Sequence, residues 1–195
     1  MAKFEVVSRF KNSEIDLIPI RKTNGSAGYD FYVAEDIIIP SYYKLLDRMT
    51  EARNPITSME LEEVATLTKE LKARPTLVSS GVKCQLDEGL YLELSTRSST
   101  PLKYWLILAN SVGIIDGDYY NNEDNEGEIF FQLINLSPWD IKLKAGDCIG
   151  QGIIKQYDLT DDDFTDKIRK GGFGSTDDLG SIFDAFFTQH QDDGK

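Results

Sequence analysis

The stretch TLVSSGVKCQLDEGLYLELS, residues 76–95, indicates the class of fold that the chain adopts. It contains two strand-like runs, 76–86 and 89–95, and an Asp-Glu-Gly turn leads into the second. Runs of the same kind recur along the sequence, and Gly, Pro, Asn and Asp residues separate them at short intervals. The other runs are FEVVSRF (4–10), YDFYVA (29–34), EDIIIP (35–40), WLILAN (105–110), EIFFQLIN (128–135), DIKLKAG (140–146) and IGQGIIKQY (149–157). This pattern predicts an all-β fold, a sandwich or jelly roll.

Two segments depart from the strand pattern. From about 42 to 75 the sequence predicts one or two helices, because Thr57 and Glu60 fit a capping box and an apolar stripe follows them. From about 160 to 195 it predicts a flexible C-terminal arm, which contains the glycine-rich KGGFGST (170–176) and an acidic tail. We therefore expect one domain, residues 1–195, with a helical insertion packed onto a β core.

Composition narrows the classes of function. The chain has 195 residues, 41% hydrophobic and 28% charged, which is ordinary for a globular protein with a sizeable core. A net charge of −12 argues against direct binding to nucleic acid, which requires clustered Lys and Arg. We expect no membrane span and no signal peptide. Because Cys84 and Cys148 form neither a disulfide framework nor a zinc pattern, we expect an intracellular protein.

The acid/base chemistry open to the chain is limited by its single histidine, His190, which lies in the tail. Carboxylates, Tyr or Lys must therefore do such work in the core. The segment NSVGIIDGDYYNNEDNEGE (110–128) carries six carboxylates, but in an EF-hand frame beginning at Asp116 the invariant Gly and the final Glu are missing. A solvated hairpin turn and a catalytic site remain as alternatives for this segment.

Five spaced motifs decide between these alternatives. They are SAGYDF (26–31), TRSST (96–100), NSVGIIDGDY (110–119), GDCIGQ (146–151) and RKGGFGST (169–176). Their order and spacing closely resemble the five motifs of the homotrimeric dUTP diphosphatases (dUTPases). The resemblance implies a β jelly roll, the dUTPase-like β-clip, that hydrolyses dUTP to dUMP and pyrophosphate by attack of water on the α-phosphate. Such an enzyme keeps uracil out of DNA and supplies dUMP for thymidylate synthesis.

The third motif implies the catalytic and nucleoside-binding residues. Asp116 matches the family aspartate that orients and deprotonates the attacking water. Asn110 matches the asparagine that reads the uracil edge, together with the hairpin backbone at Gly113 and Ile115. Tyr119 matches the aromatic residue that packs on deoxyribose and leaves no room for a 2′-hydroxyl. We interpret the remaining charges, at 123–128, as a solvated loop, because 120–127 is longer than the family's short turn.

The second and fourth motifs imply phosphate contacts. Arg97, Ser98 and Ser99 match the positions at which the family contacts phosphate and positions a carboxylate. Gln151 matches a phosphate-binding glutamine, and Gly150 stands where alanine is usual in the family.

The arm and the first motif imply the rest of the site. Phe173 matches the aromatic residue that stacks on uracil when the arm closes, with Gly174 and Ser175 beside it. Arg169 matches the arginine that binds the γ-phosphate, although it lies four residues before Phe173 where many family members have five, and Lys170 is an alternative. The resemblance also implies Mg²⁺, held chiefly by the phosphates and water, with Asp30 near the metal through water.

The same resemblance implies a homotrimer whose active sites are shared, so that Arg97, Asp116 and Phe173 come from different chains. dCTP deaminase shares the fold, but Gln132 stands where that family has a glutamate base. A regulatory role is a third alternative, because some phage dUTPases engage repressor proteins through inserted segments. Candidate protein-binding segments are the insertion at 42–75 and the tail GSIFDAFF (180–187), whose Phe183, Phe186 and Phe187 resemble a sliding-clamp-binding peptide.

Overall fold

The computed structural model describes residues 1–44, 46–47, 74–165, 169 and 171. Within these residues, antiparallel pairing joins eleven strands into four sheets, which confirms the predicted all-β class. The strands are β1 (Ala2–Val6), β2 (Tyr29–Tyr32), β3 (Ile37–Ile39), β4 (Thr76–Ser79), β5 (Val82–Leu86), β6 (Leu90–Ser95), β7 (Leu106–Leu108), β8 (Gly113–Ile115), β9 (Phe130–Asn135), β10 (Ile141–Leu143) and β11 (Cys148–Gln156). Short helices are α1 (Ser99–Tyr104) and 3₁₀ turns at Ser8–Phe10 and Gly117–Tyr119.

The largest sheet has the strand order β2-β11-β6-β8, and a second sheet has the order β4-β9-β7. Two-stranded pairs, β1-β5 and β3-β10, complete the set in the described part of the chain. The register of β11 places Gln151 opposite Asp30 of β2 on one side and opposite Ser95 of β6 on the other. Polar residues from three strands that are distant in sequence therefore lie in one row across the sheet.

Alternation along β9 shows how the core forms. Phe131 and Leu133 are buried, whereas Phe130 and Gln132 on the opposite face are partly exposed. The rings of Phe31 and Phe131 pack with their centroids 5.5 Å apart. Burying side chains of this size contributes about 1.5–3 kcal/mol each to stability. The core between the sheets thus fixes which face of each strand is left for a site.

The strand expected over 76–86 is wrong in one respect, because the run forms two strands that belong to different sheets. Gly81 separates them with a φ of +68°, a left-handed conformation that favours glycine. The run at 4–10 is also shorter than expected, because it continues as a 3₁₀ turn from Ser8. Helix α1 was not predicted.

Helical residues begin at Tyr42, where the insertion was predicted to start, and include 42–44 and 46–47. The Oγ of the buried Ser41 accepts a hydrogen bond from the backbone N–H of Lys44, which caps this helical start. The rest of the predicted insertion lies outside the described residues, as does the Phe183, Phe186 and Phe187 tail. In the part of the chain that the structure describes, no helix is both long enough and apolar enough to cross a bilayer.

Candidate active site

A pocket of about 210 Å³ opens at the edge of the largest sheet, where β8 runs into the 3₁₀ turn at Gly117–Tyr119. Six residues predicted for the site lie in its lining. The complete lining is Leu94, Asn110, Gly113, Ile114, Ile115, Asp116, Tyr119, Phe130, Gln132 and Arg169. The fold therefore brings the third motif and the arginine of the fifth motif to one cavity.

Asp116 lies at the entrance to the 3₁₀ turn in an extended conformation, and its side chain makes no capping hydrogen bond. Its carboxylate is half exposed, and its Oδ2 lies 2.7 Å from Nη2 of Arg169. The same guanidinium donates through Nε to Oδ1 of Asp118 at 3.0 Å. Arg169 thus bridges two carboxylates, and Asp118 is a member of this ion-pair group that sequence reasoning missed.

Tyr119 is buried, and hydrogen bonds hold it at both ends. Its hydroxyl donates to the carbonyl of Glu128 at 2.8 Å and accepts from Nδ2 of Asn125 at 2.8 Å. Its backbone carbonyl accepts from Nδ2 of Asn122, also at 2.8 Å. Burial raises the pKa of the Tyr119 phenol, so the hydroxyl keeps the proton that it donates. The ring is therefore a fixed wall of the pocket.

The loop that follows is only in part the solvated loop expected from its charges, since Glu123 and Asp124 are exposed but the other two carboxylates bind residues that are remote in sequence. Glu128 is only 4% exposed; it accepts a hydrogen bond from the Ser79 hydroxyl and pairs with Arg9 at 3.4 Å. Glu126 accepts hydrogen bonds from the backbone N–H and the hydroxyl of Ser8 at 3.2 and 3.0 Å. The interpretation was wrong for Glu128 because a buried carboxylate is stabilised by partners that are remote in sequence.

A second group of predicted residues lies within the largest sheet. Asp30 is 5% exposed, and its Oδ2 lies 3.4 Å from Nη1 of Arg97. Arg97 also donates to the sulfur of Cys148 at 3.5 Å, and Gln151 donates to the Ser95 hydroxyl at 3.3 Å. None of these five residues lines the pocket beside Asp116. Within one chain the predicted site is thus divided into two groups.

The remaining predicted residues lie near Arg97 in sequence or outside the described part. Ser99 is the first residue of α1, and Ser98 precedes it without using its hydroxyl as a cap. Phe173, Gly174 and Ser175 lie outside the described residues.

Sequence reasoning missed part of the pocket wall. Phe130, Gln132 and Leu94 line the pocket but were not predicted as site residues. The signal was present in β9, where alternate residues leave the core and face the cavity. The sequence marks Gln132 only as the residue that stands where dCTP deaminase has a glutamate.

The donor set for a metal ion is sparse. Among the described residues, no three His, Cys, Asp or Glu side chains converge in a way that would hold a metal. Within that part of the chain, the buried Oδ2 of Asp30 has no hydrogen-bond partner. A water molecule bound to a metal is one donor that would satisfy this oxygen, so the residues present fit a metal held through water rather than by a protein cage.

The chain is similar to a family model, to curated proteins and to solved structures. The dUTPase family model matches residues 61–177. The chain is 37% identical over 175 residues to the deoxyuridine 5′-triphosphate nucleotidohydrolase of Lactococcus lactis subsp. lactis (strain IL1403), covering 89% of this chain and 95% of that protein. The crystal structure of dUTPase from Streptococcus mutans matches with a TM-score of 0.61 and 35% identity, covering 81% of this chain and 98% of that one.

A more distant structure shares the fold. A dUTPase variant from phage phi11 of S. aureus, whose structure has a coordinated structural Mg(II) ion, matches with a TM-score of 0.54 and 15% identity over 86% of this chain and 97% of its own. The family match and the L. lactis relative extend over most of the chain. The chain therefore belongs to the dUTPase family.

Proposed function

We propose that this member of the dUTPase family hydrolyses dUTP to dUMP and pyrophosphate in the pocket beside Asp116. The observation that carries the proposal is that the pocket lining unites a half-exposed carboxylate, the amide of Asn110 and the fixed ring of Tyr119. These are a base, a hydrogen-bonding group for a nucleobase and an apolar wall for a sugar, which is the set that a nucleotide hydrolase of this kind requires.

In the proposed reaction Asp116 accepts a proton from water as the water oxygen attacks the α-phosphorus. The bond between the α-phosphorus and the oxygen that bridges to the β-phosphate breaks, and pyrophosphate leaves. Arg169 pairs with Asp116 and Asp118 in the described structure. Substrate phosphates would compete for this guanidinium, so their binding would leave Asp116 available as the base.

The proposed uracil site uses the edge of the largest sheet. β8 pairs with β6 on one side only in the described residues, so backbone groups of Gly113 and Ile115 on the open side can hydrogen-bond a nucleobase. Asn110 adds both a donor and an acceptor. A slot of this kind rejects bases that leave its polar groups unpaired. Gln132 in the wall carries an amide, which cannot act as the base that deamination of dCTP needs.

We further propose that the group around Arg97 supplies phosphate contacts to a pocket on another subunit of a homotrimer. This is supported by the separation of Arg97, Ser98, Ser99 and Gln151 from the pocket lining of their own chain. The closing arm, with Phe173, Gly174 and Ser175, would complete each site. An arginine held against the buried Asp30 is a preorganised cation, and such cations stabilise charge that develops on phosphate oxygens.

Magnesium is the cation that we propose for the triphosphate. Mg²⁺ dehydrates reluctantly and binds commonly through substrate phosphates and water, so it does not require a cluster of protein ligands. Asp30 is the residue proposed to reach it, through water, because its buried Oδ2 lacks a hydrogen-bond partner in the described structure. When bound, the ion would neutralise charge on the phosphates.

The proposed setting is intracellular, where removal of dUTP keeps uracil out of DNA and yields dUMP for thymidylate synthesis. Cys84 and Cys148 are both free thiols, as expected for a protein of a reducing compartment.

The test is pyrophosphate release from dUTP, dCTP, dTTP and UTP with Mg²⁺, for the wild type and Asp116→Asn. We expect hydrolysis of dUTP to be far faster than that of the other three nucleotides, and a loss of about 10²–10⁴ in kcat for the variant because its amide cannot accept the proton.

Asp118→Asn is the matched control, because Asp118 also pairs with Arg169 but does not line the pocket. It should retain kcat within about tenfold. Equal losses in the two variants would mean that the charge pairs with Arg169, rather than proton transfer by Asp116, account for the effect.

A further inference from the structure

We propose that Asn125 is a specificity-determining positioning residue, which sets the discrimination between deoxyribose and ribose by holding Tyr119 in place. The proposal rests on the proposed function, in which Tyr119 forms the sugar wall. It concerns the loop 120–127, which the alternatives above treated only as a solvated turn.

Hydrogen bonds fix the hydroxyl of Tyr119 from both sides. It donates to the carbonyl of Glu128 and accepts from Nδ2 of Asn125, both at 2.8 Å. A hydroxyl with a defined donor and a defined acceptor cannot swing without breaking one of the two bonds, and inside a protein each broken bond leaves an unsatisfied polar group.

The loop that carries Asn125 is itself held by hydrogen bonds. Asn122 is buried; its Oδ1 accepts from the backbone N–H groups of Asp124 and Asn125 at 3.1 Å, and its Nδ2 bonds Oδ1 of Asn125 at 2.8 Å. Oδ1 of Asn125 also accepts from the N–H of Gly127 at 3.0 Å. The amide of Asn125 is therefore oriented by its oxygen, and its nitrogen is left to face Tyr119.

The end of the loop at Glu128 is anchored in the body of the protein. Glu128, which supplies the acceptor carbonyl for Tyr119, has its own carboxylate buried against Ser79 and Arg9. The phenol is thus connected through Glu128 to strand β4 and through Asn125 to the loop. This support limits movement of a ring that is 7% exposed and that lines the pocket with Asp116.

Exclusion of a 2′-hydroxyl requires a wall that does not move by the width of an oxygen atom. If Asn125 no longer donates, the ring is held at one side only, and the cost of admitting ribose falls. Because one hydrogen bond contributes about 0.5–1.5 kcal/mol, the ratio of kcat/KM for dUTP to that for UTP should fall roughly three- to tenfold. The change should come from faster use of UTP, with kcat/KM for dUTP little altered.

The experiment compares dUTP and UTP for the wild type, Asn125→Asp, Tyr119→Phe and the double variant. Asn125→Asp keeps the size and the oxygen that binds Gly127, and removes the donor to Tyr119. Asn121→Asp is the matched control: it adds the same charge to the same loop, its Oδ1 contacts Nζ of Lys83 rather than Tyr119, and its φ of +58° is tolerated by Asp.

The expected result is loss of discrimination in Asn125→Asp and Tyr119→Phe, no added loss in the double variant, and wild-type discrimination in Asn121→Asp. Non-additivity is the signature of an effect that passes through the Tyr119 hydroxyl. Discrimination that is unchanged in Asn125→Asp, or that falls additively in the double variant, overturns the proposal.

Two further comparisons separate the proposal from misfolding of the variant and from failure of the proposed function. If the melting temperature shows that Asn125→Asp is not folded at the assay temperature, Asn125→Gln and Asn125→Ser replace it. Both retain a donor and should rescue discrimination in part. Failure of both to do so overturns the proposal. A wild type that does not hydrolyse dUTP contradicts the proposed function itself. A wild type that hydrolyses dUTP in preference to UTP, with an Asn125→Asp variant that does the same equally well, contradicts only the present inference.

Discussion

The two groups of candidate site residues differ in what holds them in place. Asp30, Gln151 and their neighbours lie in a row across the four-stranded sheet, so the pairing of β2, β11 and β6 sets their positions. Asp116 lies at the sheet edge, half exposed, and its surroundings depend on a 3₁₀ turn, a loop and Arg169 of the arm. The first group is therefore part of the folded frame, whereas the second is assembled at a sheet edge from a turn, a loop and the arm.

Whether the two groups serve the same active site can be tested directly. Arg97→Gln, which keeps a donor beside Asp30 but removes the charge, should lower kcat/KM about a hundredfold or more. Asp116→Asn should be similarly inactive. If sites are shared between subunits, a mixture of the two variants that has exchanged subunits should recover up to about a quarter of wild-type activity, because some interfaces then combine an intact Arg97 with an intact Asp116.

Each variant mixed with itself is the control for this complementation assay, measured as pyrophosphate release after a cycle of mild denaturation and renaturation. No recovery in a mixture that forms mixed assemblies, as judged by affinity tags on the two variants, would mean that both groups act within one chain.

The next largest effect is expected inside the sheet, at Gly150 beside Gln151. A Cβ at this position would lie 2.3 Å from Cε1 of Phe131 and 2.8 Å from the carbonyl of Ser95. Gly150→Ala should therefore cost about 1–3 kcal/mol of unfolding free energy in urea titrations, because core atoms must move. It should also impair activity, since β11 carries Gln151.

Gly25→Ala is the control, because a Cβ there would meet nothing within 4 Å. Phe131→Leu combined with Gly150→Ala should recover part of the loss. Equal stability for the two alanine variants would show that the sheet group is less rigid than its packing indicates.

The smallest effect is expected from pH at the pocket. Burial raises the pKa of Tyr119 above its ordinary 10.0. The folded state therefore keeps a proton that the unfolded chain releases, so the stabilisation is fully present below pH 10 and is lost as pH rises through the folded pKa. The stability advantage of the wild type over Tyr119→Phe should shrink by about 1 kcal/mol or less as pH rises above 10.

The measurement is thermal or urea unfolding at pH 8 and above pH 10. Tyr104→Phe, at a half-exposed tyrosine of α1, is the matched control for the loss of one phenol hydroxyl. A constant difference between wild type and Tyr119→Phe at all pH values would indicate that the phenol is less enclosed than the structure has it.

Much of the frame could be predicted from sequence, since strand-like runs with turn residues between them are local signals. The Gly81 break was missed although Ser80-Gly81 is itself a turn signal, because strand-like residues on both sides form one continuous run. The site divides in the same way. Motif spacing predicted Asp116, Arg97 and Arg169 as site residues, but the burial of Glu128 depends on Ser79 and Arg9, which are 49 and 119 residues away in the chain.

The position of strand β11 within its sheet determines when that sheet can form during biosynthesis. It is the last strand of the described chain, yet it lies between β2 and β6, and its pairing of Cys148 with Tyr32 spans more than a hundred residues. At translation rates of 5–20 residues per second, β2 must wait roughly 10 s for its partner to be made. Until β11 is made, β2 and then β6 present an unpaired edge that can bind another strand or a chaperone. The sheet that carries Asp30 and Gln151 is thus among the last parts of the described chain to form on the ribosome.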